Sequence, residues 1–116
     1  MSYVDGVVIA VPTANKQAYL DYARIIGEVF RRAGAIGVTD CWGDDVPDGV
    51  LTSFPMAVQK GPDETVVFSW ITWPSKDVRG AGWDRAMADP MMQPGPEVPF
   101  DTKRMIYGGF EVVVEF

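Results

Sequence analysis

The stretch Thr65-Val-Val-Phe-Ser-Trp-Ile-Thr-Trp73 decides the fold. It is dense in β-branched and aromatic residues and stops at Pro74, the pattern of a strand. Its two parities are both apolar, with Val67, Ile71 and Trp73 on one and Val66, Phe68 and Trp70 on the other. A strand with one solvated face would alternate apolar with polar. The run Tyr3 to Val11, ended by Pro12, repeats the pattern: Val7, Ile9 and Val11 oppose Val4 and Val8. Both faces of the sheet built from these strands must therefore be covered.

Working outward, Lys16 to Ala33 places Tyr19, Tyr22, Ala23, Ile26, Phe30 and Ala33 at spacings of three and four, one buried stripe of a helix. Thr13 or Asn15 can cap it, and Gly34 ends it. Residues 36 to 43 predict a second strand, followed by the acidic turn Asp44 to Gly49 and an irregular segment from Leu51 to Lys60. Pro74 and Ser75 open a second helix that must finish before Pro90. Gly80 and Gly82 lie inside it, each costing about 1 kcal/mol relative to alanine, so this helix depends on tertiary packing. The Pro- and Gly-rich stretch Pro90 to Pro99 reads as an ordered excursion or a flexible loop, and Met105 to Val114 predicts the last strand.

The order strand, helix, strand, strand, helix, strand is that of an α+β domain of the ferredoxin-like split βαβ type, βαββαβ, with an antiparallel sheet carrying both helices on one face. Two helices cover only that face. The other is expected to meet the sheet of a second copy, which makes a homodimer the economical assembly.

A chain of 116 residues fits a single domain, residues 1–116. Sixteen acidic against ten basic residues give a net charge of −6, which opposes association with nucleic acid or anionic lipid. No run approaches a membrane span and the N-terminus lacks signal-peptide character, so a cytoplasmic location is expected. The chain contains no histidine, which removes the commonest general base, haem ligand and zinc ligand together. No cofactor and no metal are expected. The single Cys41, beside Trp42, is read as a small buried residue. Asp40, Asp44, Asp45 and Asp48 lack the spacing of a calcium loop and are read as a solvated turn.

Three segments carry a family resemblance. They are Tyr3-Val-Asp-Gly6 with Val11-Pro12; Cys41-Trp42 through Asp45-Val-Pro-Asp-Gly49 and Thr52; and Glu64 to Trp70 with Pro74-Ser75 and Pro99-Phe-Asp-Thr-Lys-Arg-Met-Ile-Tyr-Gly-Gly-Phe110. Together they resemble the YbaA-like family of uncharacterised bacterial proteins, of the dimeric α+β barrel group. The resemblance implies two four-stranded sheets packed face to face and implies no particular reaction. The chain departs from the family pattern at Thr102, where Gly is usual, and at Gly80 and Gly82, which replace better helix formers and imply a looser wall on a pocket beneath the second helix.

Two functions from different classes fit these residues. In one, each subunit binds or transforms a small apolar or aromatic molecule, with Trp42 or Trp70 as wall and Arg104 or Tyr107, beside Lys103, as polar anchor. In the other, the protein is a non-catalytic homodimer serving as a structural or protein-interaction module. The aromatics are then core or interface, and Lys103 and Arg104 form a salt bridge to Asp101 or the acidic loop. Gly108-Gly109 indicates a bulge or the close approach of another group, which an aromatic ring across the sheet explains as easily as a ligand. Nothing in the sequence decides whether the protein is an enzyme.

Overall fold

The computed structural model describes residues 2–116. Four strands, β1 (Tyr3–Pro12), β2 (Gly37–Trp42), β3 (Glu64–Trp73) and β4 (Ile106–Glu111), form one sheet in the order β2-β3-β1-β4, with every neighbouring pair antiparallel. The helices α1 (Lys16–Ala33) and α3 (Lys76–Ala88) lie against one face, and a four-residue helix α2 (Phe54–Ala57) touches the other. This is the βαββαβ order with one short extra helix inserted. Among the described residues no helix is long and apolar enough to cross a membrane.

The long strands β1 and β3 pair over their full lengths, Tyr3 opposite Trp73 through Pro12 opposite Glu64. Side chains alternate between faces, so Ile9, Val11, Val67, Ile71 and Trp73 go to the helices, where all are buried. The core against α1 and α3 is built from Val29, Phe30, Ala33, Ile71, Trp73 and Ala86. Gly34 ends α1 with φ of 118°, a left-handed conformation that only glycine takes without strain, and the Arg85 guanidinium donates to the free Ala33 carbonyl at 2.7 Å.

Several expectations need correction. Neither Thr13 nor Asn15 caps α1 through its side chain. A 3-10 turn over Thr13–Asn15 leads into the helix, Thr13 bonds Thr65, and the Asn15 amide donates to the Pro99 carbonyl. The irregular Leu51 to Lys60 segment contains α2, started by Ser53, whose Oγ accepts from the Met56 N–H. Strand β4 ends at Glu111, opposite Tyr3 at the start of β1, rather than at Val114. Cys41 is exposed, since β2 is an edge strand and residue 41 pairs with Phe68 on the face away from the helices.

The glycines show where elements must come close. Gly82 does not loosen α3: a Cβ there would collide with the Trp73 ring, so its absence lets the helix backbone rest on the indole. Gly108 and Gly109 make no bulge. They stay in register with Gly6 and Asp5, and a Cβ on Gly109 would lie 2.6 Å from the Tyr3 hydroxyl. The aromatic ring across the sheet accounts for the glycine.

Candidate functional site

Between the helices and the sheet lies a cavity of about 530 Å³. Its floor is the helix-facing row of the sheet, in which Asp40, Ser69, Val7 and Tyr107 stand side by side on four adjacent strands. Its roof comes from α1 through Tyr19, Tyr22, Ile26 and Phe30, and from α3 through Arg79, Trp83 and Met87 at spacings of four. Met92, Phe100 and Met105 close the side from the segment between α3 and β4. Phe100 meets the edge of Tyr22 at 5.5 Å between centroids, and Trp83 meets Phe30 at 4.7 Å. Such an apolar, aromatic lining with a few convergent polar groups is the usual construction of a small-molecule site.

One end of the cavity is built around Asp5, which is only 4% exposed near the start of the apolar strand β1. A carboxylate there is tolerable only with full hydrogen bonding. Trp73 Nε1–H donates to Oδ2 at 2.8 Å and Trp83 Nε1–H donates to the same oxygen at 3.0 Å. Arg79 donates to Oδ1 from Nη2 at 2.6 Å and from Nε at 3.1 Å. The Tyr3 ring flanks the guanidinium, 5.4 Å away. Residues from two strands and a helix thus converge on one carboxylate.

The other end carries Asp40. The Tyr19 hydroxyl donates to Asp40 Oδ1 at 2.7 Å, and no side chain among the described residues donates to Oδ2. Burial first, and then the neighbouring carboxylate, push the Tyr19 phenol well above its ordinary range; Tyr22 is raised for the same two reasons. Both phenols therefore remain protonated donors. Ser69, buried between the two ends, adds a hydroxyl.

The five residues singled out in the sequence do not share one site. Tyr107 stands at the rim of the cavity, 77% exposed, and reaches the opposite face as well. Trp42 stacks beside Tyr19 with Lys16 over its ring, next to the cavity and outside its lining. Trp70 faces away from the helices, packed on Phe68. Lys103 is exposed in a 3-10 turn. Arg104 is occupied: it makes a bidentate pair with Glu64 at 2.7 and 2.6 Å and donates to Asp101 at 3.0 Å and to the Gln59 carbonyl at 2.9 Å. This cluster ties the turn before β4 to the start of β3. It also holds the Glu64 carboxyl down at about 2, chiefly through the hydrogen bonds from Arg104.

Asp5, Arg79 and Trp83 at one end of the cavity and Tyr19 and Asp40 at the other are not brought together by any pattern in the sequence, and Asp40 belongs to strand β2 rather than to the acidic turn. Asp5 left a trace, as an acidic residue at a helix-facing position of an otherwise apolar strand. Its partners lie 68 to 78 positions away, beyond any local motif. Among the described residues no group of three or more metal-ligating side chains occurs.

The face away from the helices is different. Val4, Gly6, Val8, Phe68, Trp70, Ile106, Gly108 and Phe110 line an open apolar groove of about 670 Å³. Phe110 is 61% exposed there. The short α2 covers only one edge, through Phe54 on Phe68 and the buried Val58 beside Val66.

The family model described as a protein of unknown function, DUF1428, matches residues 2–102. The uncharacterized protein YbaA of Escherichia coli (strain K12) is 50% identical over 116 residues, covering 99% of either chain. The uncharacterized protein YbaA of Shigella flexneri gives the same figures. Among solved structures, a variant of SnoaB, a cofactor-independent oxygenase from Streptomyces nogalater, aligns with a TM-score of 0.57 at 16% identity, over 98% of this chain and 95% of that one. At that identity the likeness is one of fold.

Proposed function

The chain belongs to the DUF1428 family, whose function is unknown, and on the geometry above we propose that each subunit binds a small apolar or aromatic molecule between its helices and its sheet, in a homodimer formed through the open faces. One observation carries this reading: the 530 Å³ cavity is apolar and aromatic through its middle and polar at both ends. A core that existed only for stability would fill this space with side chains. The exposed groove of Phe68, Trp70, Ile106 and Phe110 supports the dimer, because contiguous apolar surface of this kind on a small domain marks an interaction site. The fold is also that of SnoaB, a cofactor-independent oxygenase, and a transformation here would draw on Asp40, Tyr19 and Arg79 as its polar groups.

The occupied state of Arg104 favours a second reading for that part of the surface, a non-catalytic clamp within a structural dimer. Native mass spectrometry on gently purified, untagged protein separates the two. The expected result is a species of about twice 12.8 kDa carrying a reproducible small adduct. A clean dimer that also fails to take up added naphthalene would leave only the structural reading, and a clean monomer would overturn the assembly.

A further inference from the structure

We propose that Arg79, fixed by Asp5, is the residue that orients the ligand, and that it selects an aromatic compound carrying a carbonyl-type acceptor oxygen over the bare hydrocarbon. This deepens the small-molecule reading and rests on it. Asp5 is saturated: its two oxygens already accept from two indoles and two guanidinium nitrogens, which leaves it neither a free base nor an acceptor for a ligand. Arg79 is in the opposite condition. A guanidinium carries five N–H donors, yet only Nε and Nη2 are engaged, both with Asp5, and Nη1 donates to no group among the described residues.

Arg79 lines the cavity beside Trp83, Ile26, Phe30 and Met87, none of which can take those protons with a side-chain oxygen. Its side chain is 30% exposed. An acceptor oxygen on the ligand would complete the set. The Asp5–Arg79 pair is neutral overall, so the site offers donors without an unbalanced positive charge. That favours a neutral carbonyl conjugated to a ring over a full anion, whose desolvation the pair would not repay. A donor-only ligand gains nothing from a guanidinium. The opposite end of the cavity holds a free acceptor in Asp40 Oδ2, which the saturated Asp5 end lacks, so the two ends differ in kind and give the ligand one orientation. Asp5 is then a positioning residue: the bidentate pair and the Tyr3 ring keep the guanidinium plane in place.

The test uses two compounds of nearly the same shape, 2-acetonaphthone and 2-isopropenylnaphthalene, in which a CH2 group replaces the carbonyl oxygen. Dissociation constants are measured by calorimetric titration for the wild type and Arg79→Met. Because that variant leaves Asp5 unpaired, the double variant Asp5→Asn/Arg79→Met, which keeps an acceptor for both indoles, is measured beside it. The wild type should bind the ketone about tenfold more tightly, the size expected of one charge-assisted hydrogen bond in an apolar site. The preference should fall to about twofold or less in both variants. A ratio taken within one protein cancels any general loss of stability. If both compounds bind the wild type equally, or the preference survives in the variants, Arg79 is not the anchor although the pocket stands. If neither compound binds the wild type, the small-molecule reading fails and takes this inference with it.

Discussion

The two faces of this sheet are built by the same strands and are almost equally apolar, yet they end in different conditions. On the helix side, Ile9, Val11, Val67, Ile71 and Trp73 are buried by α1 and α3, and two buried polar residues stand among them, Asp5 and Ser69. On the other side, Phe68, Ile106 and Phe110 are exposed, and the groove they line with Trp70 has scarcely any polar surface. The difference teaches that apolar parity reports how many faces need a partner, whereas an acidic residue inside an apolar parity reports where polar chemistry is enclosed. A protein surface can supply the first kind of partner. The second requires donors from the same chain, or from a ligand.

The largest effect should come from removing the polar centre of the closed face. Asp5→Ala leaves Arg79 unpaired and two indole N–H groups without an acceptor, a loss of about 3–5 kcal/mol by the experience of broken buried ion pairs. Urea unfolding checks it, and a cost near zero would put the two faces on the same footing. Next in size is the open face. Phe110→Asp sets a charge on the groove and should weaken self-association by at least about 2 kcal/mol, the scale of an interface hot spot. Because residue 110 is exposed within the subunit, the far-UV spectrum should not change. Sedimentation at several concentrations reads the association, and an unfolded variant would mean that the face is part of the subunit's own core.

The smallest effect concerns the clamp at the sheet's end. Glu64 is lowered in the folded protein from 4.5 to about 2, mainly by hydrogen bonds from Arg104. Its folded value lies below its unfolded one, so its contribution to stability is complete above about 4.5 and is lost as the pH falls toward 2. Glu64→Gln should therefore melt below the wild type near neutral pH, and the gap should narrow through that acid window. A gap that stays constant would remove the ion pair from the account of how β4 is anchored.

Much of the fold was legible because it depends on pattern. The two-parity strands, the three-four spacing of α1 and Gly34 at its end are local signals, and each names an element that exists. The short α2 was not, because four residues beginning Phe54-Pro55 carry no period to detect. The site was less legible still. Lys103 and Arg104 look like a cationic pair because they are adjacent, but a 3-10 turn sends Arg104 back onto Glu64 and Asp101. Trp70 attracts attention as an aromatic, yet its parity puts it on the open face. Asp5 finds its partners only after β1, β3 and α3 have assembled.

Titrating 2-acetonaphthone into the protein and following the protein's methyl groups by NMR shows which face takes the ligand. Shifts should concentrate on Ile9, Ile26, Ile71, Met87, Met92 and Met105, which line the cavity between helices and sheet. Shifts concentrated on Val4, Val8 and Ile106 would place the compound in the open groove and contradict the assignment of the two faces.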